Sequence, residues 1–164
     1  MKNTDLDTLS TTEIISLYSD VIMELKQRKV IRTKNLTGDL GEYLAIDHYN
    51  KTPKLPNLIE AAVGTKHIDA ISREGNRYSI KSTTGNLTGV FYGLNNPESK
   101  ESNSQKFEFL IIVMFNNEFR LKKILEVPWE VFLKYKRWHS TMKAWNISIT
   151  KNLMKDSNCL YEGR

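Results

Sequence analysis

The residues best suited to chemistry lie on two short segments with the pattern of one β-hairpin. Asp69 lies in the first arm, residues 67–72, and Lys81 lies in the second, residues 78–82. Residues 74–76 between the arms include glycine and asparagine, which tolerate positive φ and predict a tight turn. A carboxylate and an ammonium at the same end of a hairpin can hold a divalent cation and stabilise an anionic transition state. Hydrolysis of a phosphodiester requires that combination.

Each residue of this pair also has a structural explanation. Asp69 lies on an apolar strand, where a buried carboxylate needs a partner, either a metal ion or a cationic side chain. Lys81 could be that partner in a purely structural ion pair, although such pairs stabilise poorly. Ser79 shares a strand face with Lys81 because side chains alternate, and we interpret Ser79 as facing solvent.

Residues that border the hairpin are candidates for phosphate contacts, because Lys and Thr donors position a nucleic-acid backbone without reading its sequence. The candidates are Lys66, Arg77, Thr83 and Thr84. His67 shares a strand face with Asp69 and could also touch a phosphate. Core packing or plain exposure is the commoner role for such a histidine.

The composition indicates a soluble globular protein. The 164 residues, 40% hydrophobic and 26% charged, predict a single domain over 1–164 with mobile ends and a flexible loop at 84–106. That loop is polar and is either a substrate-contacting segment or simply disordered. Cys159 is the single cysteine, which excludes an internal disulfide and the usual thiolate zinc site. Without a long apolar run or a leader at the N-terminus, we expect a cytoplasmic protein with no membrane partner.

The net charge of +5 is unevenly distributed. Residues 1–119 hold 14 Lys and Arg against 15 Asp and Glu, whereas residues 120–164 hold 10 against 4. A basic C-terminal surface would attract a polyanion such as nucleic acid, although it could equally be an ordinary soluble surface. Residues 134–139 interleave basic and aromatic side chains that could clamp nucleic acid, or could be the solvated face of a helix that buries Trp129, Phe132 and Leu133.

Apolar spacing predicts the elements that position the hairpin. A capping box at Ser10–Glu13 opens an amphipathic helix over 11–28, whose apolar stripe we assign to the core. A second helix is predicted from about Thr37 to Asn50. Further predictions are a short stretch at 58–63, a buried central strand at 107–115, its partner at 119–127, a helix at 129–138 and a half-exposed strand at 145–149. The fold class is therefore α/β, with fraying of the first ten and last eight residues.

These segments together resemble the PD-(D/E)XK, or restriction-endonuclease-like, nuclease superfamily, and most closely an uncharacterised bacterial family of such domains. The resemblance covers roughly residues 14–153. It depends on Glu42 within the run 38–45, on Asp69 within Ile68-Asp69-Ala70, and on Ser79-Ile80-Lys81. It also includes the run 30–35 before the second helix. It implies a mixed central β-sheet flanked by helices.

The resemblance also implies roles for these residues in a Mg²⁺-dependent DNA endonuclease of restriction type, with Mn²⁺ as a possible substitute. Asp69, Glu42 and the Ile80 carbonyl would hold the metal, and Lys81 would orient or deprotonate the attacking water. Ser79 occupies the slot where the superfamily has an acid. A catalytically weak or inactive DNA-binding module is therefore the alternative, and a protein-interaction subunit is a third possibility. Homodimerisation is expected from the way small nucleases cut two strands.

Overall fold

A computed structural model of the chain describes residues 5–62 and 64–163. Residues 1–4 and 164, for which fraying was predicted, lie outside the described residues. Val63, the last residue of the predicted 58–63 stretch, also lies outside them. The described part divides into two compact units, residues 5–40 and residues 41–163. The predicted α/β fold class is confirmed. No helix of the described residues combines the length and the apolar content needed to cross a membrane.

The described residues form four α-helices and eight strands. The helices are α1 (Thr11–Gln27), α2 (Leu36–Lys51), α3 (Trp129–Tyr135) and α4 (Lys151–Asp156). The strands are β1 (Leu58–Glu60), β2 (Ala70–Ser72), β3 (Arg77–Thr83), β4 (Phe109–Phe115), β5 (Leu121–Pro128), β6 (Lys136–His139), β7 (Ala144–Ile147) and β8 (Asn158–Glu162).

Six of the strands form one mixed sheet in the order β1-β2-β3-β4-β5-β8, and β6 pairs with β7 in a small second sheet. The β3–β4 pair is parallel and the other neighbours are antiparallel. β4 occupies the interior, as predicted, because its run of Leu, Ile, Val and Met is buried on both faces. The β2–β3 hairpin is also confirmed, although its first arm is only three residues long.

Residues 5–40 form a unit of their own. The capping box is present, since Ser10 Oγ accepts from Glu13 N–H and Glu13 accepts from Ser10 N–H. The assignment of the apolar stripe of α1 to the core is wrong, because the helix buries none of its residues. Asp39 in α2 is 4% exposed and accepts from the backbone N–H groups of Arg32 and Thr33, at 2.8 and 2.6 Å. It therefore fixes the chain that leads into α2.

Residues 41–51 of α2 pack on one face of β3 and β4. A Cβ built on Gly41 would lie 1.7 Å from Ser82 Oγ and 3.5 Å from Val113 Cβ, so helix and sheet approach as closely as glycine permits. About two turns further on, the Tyr49 ring meets the Tyr78 ring edge to face at 5.6 Å. The Tyr49 hydroxyl donates to Glu126 Oε2 at 2.5 Å, so the buried phenol is satisfied.

The opposite face of the sheet carries the main hydrophobic core. Alternate residues of β4 and β5 contribute to it together with α3, α4, β7 and the loop before β4. Aromatic rings at Phe91, Phe107, Trp129 and Phe132 pack with centroids about 5 to 6 Å apart. Ser79 and Lys81 lie on this face, because their parallel partners on β4 are the core residues Leu110 and Ile112.

Three predictions about the C-terminal third are wrong. The predicted helix at 129–138 ends at Tyr135, and Lys136–His139 is strand β6, so residues 136–139 are not the solvated face of a helix. The predicted strand at 145–149 is β7, whose four residues are all buried because it packs on the core. The predicted fraying of the last eight residues fails for β8, which pairs with β5 at the sheet edge.

Candidate functional site

An open cavity of about 450 Å³ lies where the β2–β3 hairpin meets the loop before β4. Asp69, Ser79 and Lys81 form its polar wall, and Lys66, His67 and Lys106 add further nitrogen groups. Residues 90–94 and Phe107 complete the lining with mainly apolar side chains. The cavity therefore places one carboxylate and three ammonium groups beside an apolar wall.

Asp69 lies just before the N-terminal end of β2. At this point the backbone hydrogen bonds between β2 and β3 are followed by hydrogen bonds to the Asp69 side chain. Its backbone N–H donates to Tyr78 O at 2.8 Å. Its Oδ2 then accepts from Ile80 N–H at 2.6 Å and from Ser79 Oγ at 3.3 Å. The carboxylate thus takes the place of a backbone carbonyl, which is a partner that the sequence analysis did not consider. Ser79 is 2% exposed, so its interpretation as solvent-facing is wrong.

Lys81 is partly buried on the same face of β3 as Ser79, with its Nζ 5.4 Å from the centre of the Phe91 ring. In the described part of the chain, no ion pair joins Lys81 to Asp69. The two groups line one cavity without neutralising each other. The structural ion pair considered from the sequence is therefore not the arrangement that forms.

His67 lines the cavity from a turn before β2, so the prediction that it shares a strand face with Asp69 is wrong. Its φ of 65° is in the left-handed region, which few residues other than glycine adopt. Gly93 lies against it, since a Cβ on Gly93 would be 2.7 Å from His67 Cε1. Burial lowers the pKa of His67, and Lys106, Lys66 and Lys81 lower it further by repulsion. The ring is therefore biased to the neutral form by the same lysines that line the cavity.

The apolar wall is anchored to the small sheet. Phe91 exchanges both backbone hydrogen bonds with Trp145 of β7, at 2.6 and 3.1 Å. Thr88 N–H donates to Ile147 O at 3.0 Å, and Trp145 Nε1 donates to Asn95 O at 2.8 Å. Residues 88–95 therefore run along β7 as an added strand-like segment. The polar loop predicted at 84–106 carries no helix and no named strand, yet it supplies a wall of the cavity.

Other predicted site residues lie elsewhere. The guanidinium of Arg77 bonds both carboxylate oxygens of Glu108, at 2.7 and 3.1 Å, which links the start of β3 to the segment before β4. Thr83 Oγ1 accepts from Gly85 N–H at 3.0 Å, and Thr84 is exposed at the end of β3. None of the three is among the described residues that line the cavity.

Glu42 is likewise not among the described residues that line the cavity. It follows Gly41, which packs against the face of β3 opposite Ser79 and Lys81. No group of three or more His, Cys, Asp or Glu within residues 5–62 and 64–163 is arranged to hold a metal ion. Of the oxygen groups expected to bind a metal, the Asp69 carboxylate lines the cavity, whereas Ile80 is not among the described lining residues. The Ile80 N–H points to Asp69, and the two backbone groups of a strand residue point to the same side.

Sequence reasoning missed Lys106, Phe107 and the wall at 90–94. The available signal was Phe91-Tyr92, an aromatic pair inside an otherwise polar stretch. The three lysines at the cavity all come from residues 1–119, where the summed charge is negative, so counting charges along the chain could not find them.

The chain matches no protein-family model and no curated protein. The function is therefore inferred from the geometry of this cavity.

Proposed function

We propose that the chain is a PD-(D/E)XK-type endonuclease that hydrolyses phosphodiester bonds of DNA with Mg²⁺ at this cavity. One observation carries the proposal: the Asp69 carboxylate and the Lys81 ammonium line the same open cavity without pairing with each other. A partly buried charge without a counter-charge is costly, so a structure tends to retain such groups where a ligand completes them.

A metal ion at this cavity would be held partly by substrate, because the described lining supplies a single carboxylate. Mg²⁺ keeps several waters and is commonly bound through one or two carboxylates plus substrate phosphates. Asp69 and the Ile80 carbonyl would hold it here. When bound, the ion would supply Lewis-acid activation of the phosphoryl group and of water. Mn²⁺ has the same ligand preferences and should substitute.

The other residues of the cavity have roles that their charges support. Lys81 would orient the attacking water and offset the negative charge that develops on the phosphoryl oxygens. Lys66 and Lys106 would hold the neighbouring phosphates, since ammonium groups neutralise a nucleic-acid backbone without reading it. The Ile80 N–H and Ser79 would keep the Asp69 carboxylate in place, because each donates to Oδ2.

A nucleic-acid-binding module without catalysis is the second candidate, and the balance of charge favours it. The cavity holds three lysines and one carboxylate, and Ser79 stands where the superfamily has an acid. Such a site binds an anion even if it cannot activate water. Both candidates predict salt-dependent DNA binding, and only the endonuclease predicts metal-dependent cleavage.

Incubation of the purified chain with supercoiled, linear and single-stranded DNA in Mg²⁺ or Mn²⁺ tests the proposal. We expect cleavage that falls by ~100-fold or more in Asp69→Asn and in Lys81→Met, because each removes a group that stabilises the transition state. Lys26→Ala is the matched control, since it removes an exposed lysine from α1, outside the cavity.

The possible outcomes separate the two candidates. DNA binding without cleavage under any metal condition would support the binding module. Cleavage that survives both cavity substitutions would contradict the assignment of the site. No DNA binding at low salt would exclude both functions.

A further inference from the structure

The cavity has apolar lining residues that contact with a nucleic-acid backbone does not require. Lysine ammonium groups suffice to contact a phosphodiester, yet the cavity is also lined by residues 90–94 and Phe107. Phe91 and Phe107 are 6% and 2% exposed and form the packed base of that wall. Tyr92 lines the same cavity and keeps 53% of its surface exposed, so it is accessible to a ligand.

The apolar wall is built before any ligand arrives. The backbone of Phe91 is bonded to Trp145, and the Asn95 carbonyl accepts from the indole of the same tryptophan. Tyr92 and Leu94 therefore lie between two anchored points of the loop. A preformed aromatic position binds more tightly than a flexible one, because little conformational entropy remains to be lost.

The size of the cavity selects among ligands. At about 450 Å³ it lies within the range of small-molecule sites, which is room for one nucleotide and too little for a stacked base pair. Within a duplex, the base faces are covered by their neighbours and cannot reach a protein wall. An unpaired base presents a free π-face that stacks on aromatic side chains regardless of its identity.

We propose, building on the proposed function, that the cavity takes an unpaired nucleotide of single-stranded nucleic acid. The base lies against the wall at Tyr92 and Leu94, and the phosphates lie toward Lys66, Lys81 and Lys106. The substrate class is therefore single strands, or the unpaired ends and flaps of duplexes, rather than uninterrupted duplex DNA.

Equilibrium binding in EDTA tests this inference apart from cleavage. Fluorescence anisotropy would compare labelled oligothymidylate and oligouridylate of about 12 nucleotides with a blunt duplex of equal length, at one fixed salt concentration. We expect at least one single strand to bind ~10-fold more tightly than the duplex. Tyr92→Ala should weaken single-strand binding by ~5-fold or more, whereas Tyr92→Phe should retain it because the ring remains.

Tyr43→Ala is the matched control, since Tyr43 is 46% exposed on α2 and does not line the cavity. If Tyr92→Ala lowers the melting temperature of the protein, single-strand binding is measured with Tyr92→Leu instead. This variant keeps the apolar bulk and removes the aromatic ring, so a weaker affinity reports the loss of stacking. Equal affinity for duplex and single strands, or an unaffected Tyr92→Ala, would overturn the inference. Metal-dependent duplex cleavage that requires Asp69 would then leave the proposed function standing, whereas the absence of any nucleic-acid binding would remove both.

Discussion

The two faces of β3 differ in what lies against them: a helix packs on one face, and an open cavity borders the other. On one face, Tyr78 is 1% exposed and contacts the Tyr49 ring, while α2 approaches closely enough to require Gly41. On the other face, Lys81 and the neighbouring Asp69 carboxylate line an open cavity without forming an ion pair. Since side chains alternate along a strand, one seven-residue segment supports both environments.

This difference separates stability from function along a single strand. Along β3, substitutions on the packed face should affect stability most, because large-to-small changes there leave a cavity. The open face should determine what the protein binds, because its carboxylate and its ammonium line a cavity without forming an ion pair with each other. Substitution of Tyr78 should therefore lower stability, whereas substitution of Lys81 should lower binding or activity.

Tyr78→Ala should have the largest effect of the substitutions on the packed face. Removal of a fully buried ring costs about 3 to 5 kcal/mol in the free energy of unfolding. Urea denaturation followed by circular dichroism measures this. A loss below about 1 kcal/mol would show that the packed face is not needed for stability.

Lys81→Met should abolish function while sparing the fold. We expect ~100-fold slower cleavage or a comparable loss of binding, with the free energy of unfolding within about 0.5 kcal/mol of wild type. The aliphatic chain is kept, and an ammonium without a counter-charge is removed. A strongly destabilised Lys81→Met would instead indicate a structural role for the ammonium.

Gly41→Ala tests how closely α2 approaches the sheet. In an ordinary helix interior this change stabilises by about 1 kcal/mol, but here the new Cβ would meet Ser82 Oγ and Ser82 Cβ. We expect destabilisation by about 1 to 3 kcal/mol from overpacking. Ser82→Gly should restore part of the loss in the double variant, as measured by a double-mutant cycle. Additive effects would contradict direct contact.

Glu108→Gln should have the smallest effect, and its pH dependence has a defined sign. The hydrogen bond from Arg77 lowers the pKa of Glu108, so the ionised carboxylate stabilises the fold above its unfolded pKa of about 4.3. We expect a loss of about 1 kcal/mol at pH 7 that shrinks as the pH falls below 4.3 and through the lower folded pKa. Urea denaturation at pH 7 and pH 3 checks it, and a constant difference would contradict it.

Local patterns predicted most of the fold. The capping box, the hairpin and the continuous apolar strand β4 each depend on a few adjacent residues, and all three are confirmed. The errors arose where tertiary contacts decide the structure. Lys136–His139 is a strand because β7 pairs with it, and β8 is ordered because β5 offers an open edge. Neither pairing has a local signature.

The site was predicted in part for the same reason. Alternation along β3 places Ser79 and Lys81 on one face, and the turn places Asp69 beside them. Lys106 and the wall at residues 90–94 come from a loop that has no periodicity, and the wall is positioned by the hydrogen bonds of Phe91 to Trp145 of β7. Glu42 was expected to join the site from α2, but the packing of Gly41 places that helix on the other face of β3.

We propose that Asp69 and Lys81 form an incomplete site that a metal ion and a phosphodiester complete together. Calorimetric titration of Mg²⁺ into the protein, with and without a non-cleavable phosphorothioate oligonucleotide, tests it most directly. We expect a binding heat in the presence of the oligonucleotide that disappears in Asp69→Asn. Equal heats for wild type and Asp69→Asn, or no heat in either, would contradict it.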